Sequence, residues 1–319
     1  MKKIFFATSI NEEDGGGYLN KKIYENLIYS EAITIEKVHN FWGRVLCTLR
    51  AIYIADYIFL TTVNYTSILI LLLSRLLNKK IMYGAYGINF PMNKIQKYFS
   101  KYFYIEFLLY FFSTKIWFLS DIYIKNITSY YPYKLSSGKF FIAGNDGTVS
   151  AQEVIKNKKE FVTIGGGRSV KGVLGICEAI KLIGDKDLIL NVIGRDGEDT
   201  ESIKTFPFVR YHGQLKREDC HKILAKSGLY LQNSQIETFC QSVIEAFNFK
   251  CNMIISNNIG ALMAFPGMEN DIVKYNDVNR IKLRILHYLE ISDNQWSNFY
   301  DPEITNINNI VRKFEMSFK

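Results

Sequence analysis

Residues 161–172 read FVTIGGGRSVKG, and the residues that follow, 173–182, have the apolar spacing of a helix. A buried strand that runs through a glycine loop into a helix is the repeating unit of a parallel α/β sheet. Further strands are predicted at 188–193, 208–212, 229–232 and 252–256, alternating with helices at 218–226 and 238–249. The sequence therefore predicts an α/β unit in the second half of the chain.

The first half has the same alternation. Strands are predicted at 3–9, 34–38, 57–61 and 81–84, with helices at 18–30, 42–53 and 65–77. A turn cluster at 144–147 and a polar run at 156–159 separate the halves. We predict a domain at 1–155, a second at 156–319, a last helix at 304–318 that returns to the first domain, and a ligand-binding cleft between the domains.

Composition narrows the class of protein. The chain has 319 residues, 48% hydrophobic and 22% charged, which excludes disordered, collagen-like and coiled-coil proteins. Five cysteines, an odd number without a C-x-x-C pair, argue against a disulfide framework and a structural zinc site. The most apolar run, 68–77, is half the length of a membrane span and contains Arg75. The N-terminal apolar run is too short for a signal peptide, so a cytosolic protein is expected.

Charge and aromatic residues are concentrated in the first half. Residues 1–160 contain 20 Lys and Arg, 12 Asp and Glu, and 31 of the 47 aromatic residues, whereas residues 161–319 contain 19 basic and 19 acidic residues. An anionic membrane surface, a nucleic acid, or simply an aromatic core with a solvated basic face would each account for this. The segment 98–118 (YFSKYFYIEFLLYFFSTKIWF) is predicted to form either an amphipathic helix at the membrane interface or a core helix.

The loop after the strand at 161–164 has the composition of an anion site. Gly166 and Gly167 allow close approach of the backbone, the helix N-terminus favours negative charge, and Arg168 and Lys171 add two cations. The loop is neither a dinucleotide fingerprint, which requires glycine at Val170, nor a P-loop. Pyrophosphate binding is one interpretation, and a tight strand–helix turn is the other.

A second polar cluster, SQIETFC at 234–240, lies between a predicted strand and helix. Glu237 can accept hydrogen bonds from sugar hydroxyls or cap the helix, and the N–H groups near Phe239 and Cys240 are expected to point at a phosphate. Glu245 is placed about two turns into the helix. It is either a solvated charge or a ribose ligand, and its apolar neighbours require it to have a partner.

Glu237 and Glu245 resemble the E-x7-E motif of the retaining glycosyltransferases of family 4. The resemblance extends in order over about 110 residues, through 161–172, 190–194, 209–213 and 252–260. It implies the GT-B fold, in which two Rossmann-like α/β domains face a central cleft. It also implies a UDP- or GDP-linked sugar donor, no cofactor and no metal. Lys171 and Arg168 would neutralise the diphosphate, Glu237 would contact the donor sugar, and Glu245 the ribose.

The same resemblance assigns the remaining candidate residues. Donor binding would involve Gly166, Gly167, Gly194, His212, Gly213, Thr238, Phe239 and Cys240. Gly16 and Gly17, predicted to lie in a glycine-rich loop between the first strand and the helix after it, would line the acceptor side together with Tyr86. Three features depart from the family pattern: Thr238 and Cys240 replace glycines, Arg168 and Lys171 are only three apart, and Tyr86-Gly87 replaces a histidine–glycine pair. Of the histidines, His39, His221 and His287 are predicted to lie on the surface.

The functional expectation is a bacterial-type glycosyltransferase with retention, which builds a capsule, O-antigen or similar polysaccharide. Its acceptor would be a glycan on a polyprenyl diphosphate, and the enzyme would lie peripherally on the cytoplasmic face of the membrane. Two alternatives are a GT-B sugar-nucleotide epimerase and a catalytically silent partner subunit. Nucleic-acid binding is disfavoured because no recognition motif accompanies the charge.

Overall fold

The computed structural model describes residues 1–8, 10, 15–35, 40–87, 101–128, 137–147, 149, 154–291 and 295–318. The chain forms two compact units, one of residues 1–146 with 304–319 and one of residues 147–303. The division falls earlier than the predicted boundary after residue 155. Lys156, for example, donates to the Leu224 carbonyl at 2.6 Å, inside the second unit.

The first unit is a six-stranded parallel sheet with the order β2-β1-β3-β4-β5-β6. The strands are β1 (Lys2–Phe6), β2 (Ser30–Ile33), β3 (Tyr57–Leu60), β4 (Lys80–Ala85), β5 (Lys115–Phe118) and β6 (Phe140–Ile142). The helices are α1 (Gly15–Glu25), α2 (Phe41–Ile54), α3 (Tyr65–Leu76), α4 (Lys101–Phe112) and α5 (Asp121–Thr128). The strand order reverses direction between β1 and β3, so these two strands form the topological switch point of the unit.

The second unit is also a six-stranded parallel sheet, with the order β12-β11-β10-β7-β8-β9. Its strands are β7 (Asn157–Ile164), β8 (Ile189–Ile193), β9 (Val209–Gly213), β10 (Ser227–Gln232), β11 (Asn252–Ser256) and β12 (Ile272–Val273). Its helices are α6 (Val173–Lys181), α7 (Thr200–Lys204), α8 (Arg217–Lys226), α9 (Gln241–Asn248) and α10 (Val278–Glu290). The switch point lies between β7 and β10, in the strand order of the Rossmann fold.

The last helix, α11 (Ile307–Met316), belongs to the first unit. The Glu315 carboxylate accepts hydrogen bonds from the N–H groups of Ile28 and Tyr29, at 3.2 and 2.8 Å. Phe314 packs against Phe59 and Trp117, with ring centroids 5.0 and 5.7 Å apart. Much of the aromatic content of the first half therefore forms a buried core. In the second unit a corresponding core lies between the sheet, α6 and α10.

Several local predictions for the first half were wrong. Helix α1 ends at Glu25, where the Asn26 amide donates to the Lys22 carbonyl at 2.8 Å, and β2 begins at Ser30 rather than at residue 34. Residues 36–38 of that predicted strand, and His39 after it, lie outside the described residues. Gly16 and Gly17 are not in a loop, because they form the first turn of α1.

The segment 98–118 is not a single helix. It contains α4 and then β5, a strand of the sheet, while residues 98–100 lie outside the described part. Ile105 and Leu109 of α4 are buried, and the fully buried Glu106 accepts a hydrogen bond from Tyr83 at 3.2 Å. Only some residues, such as Tyr104, are exposed, so α4 is a core helix. Among the described residues, no helix is long and apolar enough to cross a membrane.

Candidate functional site

An ion pair lies at the switch point of the second unit. Lys171 follows β7, Glu237 follows β10, and the Lys171 ammonium donates to Oε1 of Glu237. Both side chains are only 12% exposed. The hydroxyl of Ser234 donates to the same carboxylate oxygen at 3.0 Å. Open α/β sheets bind their ligands at this position, so two of the residues predicted to carry chemistry meet where a ligand is expected.

A buried hydrogen-bond network supports the Glu237 carboxylate. The Tyr230 hydroxyl donates to the Gln232 amide oxygen at 2.5 Å, and the Gln232 amide donates to Ser234 at 2.6 Å. Tyr230 also contacts the hydroxyl of Ser242 at 2.8 Å, and burial raises the pKa of Tyr230 well above its usual value. The network keeps the Ser234 hydroxyl directed at Glu237. Sequence reasoning missed it, although a glutamine within an apolar strand was the available signal.

The glycine loop after β7 packs on the adjacent loop instead of presenting its N–H groups. The N–H groups of Gly165 and Gly166 both donate to the Ile193 carbonyl at 2.9 Å, and that of Gly167 donates to Arg195 at 3.0 Å. Gly166 has a φ of +61°, and a Cβ on Gly194 would lie 2.5 Å from its nitrogen. The N–H groups of Gly166 and Gly167, which were predicted to approach an anion, are therefore already bonded to backbone carbonyls.

Contacts from β10 and from the residues after β12 anchor the turn that carries Lys171. The Asn233 amide donates to the carbonyl of Gly172 at 2.8 Å and accepts a hydrogen bond from the N–H of Asn276 at 3.0 Å. The N–H of Gln235 donates to the Val170 carbonyl at 2.8 Å. These bonds join the two loops of the switch point and set the position of Lys171 relative to Glu237.

Arg168 lies on the surface. Its carbonyl accepts a hydrogen bond from the N–H of Lys171 at 2.9 Å, but its side chain forms no ion pair with Glu237 in the described part of the chain. Its charge acts on Glu198. Backbone hydrogen bonds from Glu198 itself and from Ser169 lower the pKa of Glu198, and the charge of Arg168 lowers it further. The structure thus brings together two of the three predicted catalytic residues and leaves Arg168 at the edge of the loop.

Glu245 is buried and paired. Its Oε1 lies 2.7 Å from Nη2 of Arg217 and 3.8 Å from Nε2 of His221, both on α8. Cys240 has a φ of +76°, so α9 begins only at Gln241 and Glu245 lies in its second turn. The prediction of His221 as a surface residue was wrong, because its side chain is 18% exposed. Sequence reasoning required a partner for Glu245 and did not identify Arg217.

Residues 238–240 connect the two glutamates. The Phe239 side chain is buried in the core, and its carbonyl accepts from the N–H of Ala261 at 2.6 Å. Thr238 is buried as well. Desolvation and then the Glu237 charge raise the pKa of Cys240 to about 12. The thiol therefore stays protonated near neutral pH, and no nucleophilic role follows for it.

Gly194, His212 and Gly213 lie at the ends of β8 and β9. The N–H of Gly194 donates to the Gly213 carbonyl at 2.8 Å. The His212 Nε2 lies 2.8 Å from the Asn191 side-chain oxygen, across the strand pair. Desolvation and then the charge of Arg210 lower the pKa of His212, so its neutral form dominates near pH 7.

The switch point of the first unit carries neutral polar groups. The Thr8 and Thr61 hydroxyls form a hydrogen bond to each other, and the Asn20 amide donates to them at 3.0 and 3.2 Å. Tyr86, predicted to line the acceptor side, packs its ring against Trp117 at 5.4 Å. Burial raises the pKa of Tyr86 well above its usual value. No three His, Cys, Asp or Glu side chains come together as metal ligands within the described ranges.

Residues 147–298 match the family described as Glycosyl transferases group 1. The second unit is therefore similar to a group 1 glycosyltransferase domain. The match spans nearly all of this unit and includes Lys171, Glu237 and Glu245. No curated protein matches the sequence significantly.

Solved structures share the fold of the whole chain. Anabaena Alr3699/HepE in complex with UDP has a TM-score of 0.75 and 12% identity, with 99% of both chains covered. The lipopolysaccharide outer core galactosyltransferase WaaB has a TM-score of 0.64 and 14% identity, again with 99% of both chains covered. A putative UDP-N-acetylglucosamine 2-epimerase from Listeria monocytogenes has a TM-score of 0.64 and 11% identity, with 100% of this chain and 96% of that chain covered. The prediction of the GT-B fold, two Rossmann-like α/β domains, is confirmed.

Proposed function

We propose that the protein transfers a sugar from a nucleotide-diphosphate sugar, with UDP as the nucleotide, to a glycan acceptor. The observation that carries the proposal is the Lys171–Glu237 pair at the switch point of the group 1 domain. The structures of HepE with UDP, which share the fold, support the choice of UDP.

Each group at the site has a role in this reaction. Lys171 binds the diphosphate and stabilises the negative charge that develops when the bond to the anomeric carbon breaks. Arg168, at the edge of the loop, adds a second cation, so no metal ion is required. Glu237 accepts a hydrogen bond from a donor-sugar hydroxyl, and Glu245 binds the ribose. Gly166, Gly167, Gly194, Gly213 and Thr238 shape the loops around them.

The transfer proceeds with retention. The acceptor hydroxyl oxygen forms its bond to the anomeric carbon on the face from which the diphosphate leaves. The acceptor proton passes to the departing diphosphate oxygen. No covalent enzyme intermediate is needed, which agrees with a Cys240 thiol that stays protonated.

The charge distribution supports a membrane-bound acceptor. The first unit contains 20 basic and 11 acidic residues, and the second 19 and 20. The basic unit suits peripheral attachment to the anionic inner face of a cell membrane. There the acceptor would be a glycan on a polyprenyl diphosphate, in the synthesis of a capsule, O-antigen or related polysaccharide.

Nucleotide binding can be tested by thermal unfolding of the full chain with UDP, GDP and UDP-sugars. A ligand at 100 times its Kd stabilises by about 2.7 kcal/mol. We expect stabilisation by UDP and its loss in Glu245→Ala. Glu201→Gln, whose side chain is 88% exposed on α7, is the matched control and should behave as wild type. If no nucleotide shifts the unfolding transition, the silent-subunit alternative replaces the proposal.

Catalysis can be tested with Glu237→Gln. UDP release from a UDP-sugar should require an acceptor lipid extract, and Glu237→Gln should reduce it at least about 100-fold, because an interaction made in the transition state is lost. UDP binding should persist in this variant. Sugar conversion without an acceptor would instead identify a GT-B epimerase, the activity suggested by the Listeria neighbour.

A further inference from the structure

A cavity of about 590 Å³ lies in the first unit between α2 and α3, a size within the usual range of ligand pockets. Its α2 wall consists of residues on one helical face: Phe41, Arg44, Val45, Thr48 and Leu49. The facing wall consists of α3 residues between Thr66 and Leu73, and β1 contributes Phe5 and Phe6. The lining is mostly apolar and the cavity is open to solvent.

The two ends of this cavity differ in chemistry. In a parallel sheet, helices that follow strands begin at the carboxyl edge of the sheet, and α2 and α3 follow β2 and β3. Arg44, Thr8 and Asn64 therefore lie at the end of the cavity near the switch point. Leu49, five residues after Arg44, and Leu73, nine residues after Asn64, lie at the apolar end. The cavity suits a molecule with an anionic head and a hydrocarbon chain.

The surface around the cavity has the same character. Exposed apolar side chains on the two helices include Trp42, Leu46, Tyr53, Leu69, Leu72 and Leu76, with exposures from 47 to 82%. Residues 40–87 contain five basic side chains and one acidic side chain, Asp56. Asp56 accepts a hydrogen bond from the N–H of Lys3 at 2.8 Å. Exposed apolar side chains together with a positive charge excess suit a binding surface for an anionic amphiphile.

We propose that this cavity binds the hydrocarbon chain of the acceptor lipid, with the lipid phosphate at Arg44. The chain would lie between α2 and α3, and the glycan would lie beyond the Thr8–Thr61 pair at the carboxyl edge. Naming the lipid as the acceptor rests on the proposed function. Lipid contact is thereby assigned to α2 and α3 rather than to the segment 98–118.

The test uses alkyl phosphates of four to ten carbons, below their micelle concentrations, titrated calorimetrically into the full-length protein without nucleotide. Because each buried methylene contributes roughly 0.8 kcal/mol, affinity should rise about fourfold per carbon. Inorganic phosphate should bind far more weakly. Arg44→Gln should weaken the binding of octyl phosphate and leave the binding of the uncharged octyl glucoside unchanged.

Two substitutions on α2 provide a matched pair. Leu49→Glu places a carboxylate in the cavity. It should weaken the binding of octyl phosphate at least about tenfold, because burying a charge against the hydrocarbon chain of the ligand is unfavourable. Ile54→Glu introduces the same charge at a similarly exposed position of α2 outside the cavity lining, and should bind as wild type. Both positions are exposed, so folding should be unaffected.

Equal weakening by both variants, or affinity independent of chain length, would overturn the proposal. Octyl phosphate should also compete with the acceptor lipid and not with the UDP-sugar. If octyl phosphate inhibited the reaction without competing with the acceptor lipid, the cavity would bind membrane lipid instead of the acceptor, and the proposal would be wrong. If alkyl phosphates bind as expected and UDP does not, the lipid-binding cavity is supported and the proposed sugar transfer is wrong. If UDP binds and alkyl phosphates do not, the proposed transfer is supported and the lipid-binding cavity is wrong.

Discussion

The switch points of the two sheets have opposite chemistry. Lys171 and Glu237 form a nearly buried ion pair at the switch point of the second unit, whereas Thr8, Thr61 and Asn20 form a neutral cluster at that of the first. One topology therefore carries charged side chains at one switch point and hydroxyl and amide groups at the other. Under the proposed function, the first set would bind the diphosphate and the second the glycan. The shared fold determines where each ligand site lies, and the side chains determine which ligand it binds.

The two glycine triplets show the same contrast at the level of the backbone. Each follows the first strand of its unit. In the first unit Gly16 and Gly17 are part of a helix. In the second, Gly166 adopts a φ of +61° because its loop packs against Gly194 and Arg195. A run of glycines thus does not determine a loop, and tertiary contacts decide its conformation.

The largest expected effect comes from substituting these glycines. Gly166→Ala should reduce the free energy of unfolding by about 2–4 kcal/mol, because the residue has a positive φ and a Cβ would collide with backbone atoms of residues 194 and 195. Gly16→Ala should be neutral or stabilise by up to about 1 kcal/mol, since alanine favours a helix. Urea denaturation of both variants tests the contrast. Equal destabilisation would show that the two triplets do not differ as described.

A smaller effect, on nucleotide affinity, is expected at the Arg217–Glu245 pair. Among the described residues, the neutral cluster at the first switch point contains no such ion pair. Arg217→Met leaves the buried Glu245 carboxylate without its cation. The displaced Glu245 should then weaken the affinity for UDP about tenfold. Calorimetric titration with UDP measures the change. Lys216→Met removes an adjacent exposed charge and is the control. Unchanged affinity in Arg217→Met would exclude a role for this pair in nucleotide binding.

The smallest effect concerns pH and His212. Its pKa is lowered from 6.5 in the folded protein, so the unfolded chain binds a proton more readily. The stability that neutral His212 contributes is therefore present above pH 6.5 and is lost as the pH falls below it. The difference in unfolding free energy between pH 7.5 and 5.5 should be smaller in His212→Gln than in wild type. His287→Gln, at an exposed position on α10, should keep the wild-type difference.

Most of the α/β alternation in the second unit was predictable, because its strands are short apolar runs bounded by glycine or polar turns. Boundaries failed where a tertiary contact sets them. Helix α9 begins at Gln241 and not at 238 because the backbone of residues 237–239 bonds to residues 258–261. Similarly, the apolar composition of 98–118 did not show that its last four residues form a strand of the sheet.

The sequence by itself determined the two α/β units, the charge difference between them, and the residue types that meet at the second switch point. These depend on local pattern and composition, which one chain displays directly. Only the tertiary structure paired Lys171 with Glu237, 66 residues apart, and Glu245 with Arg217, and directed the glycine N–H groups to backbone carbonyls. Tertiary structure also left Trp42 of α2 and Leu69 of α3 exposed while burying Ile105 and Leu109 of α4. Such pairings join distant segments, and burial is decided by which faces the sheet covers, so neither can be read from local sequence.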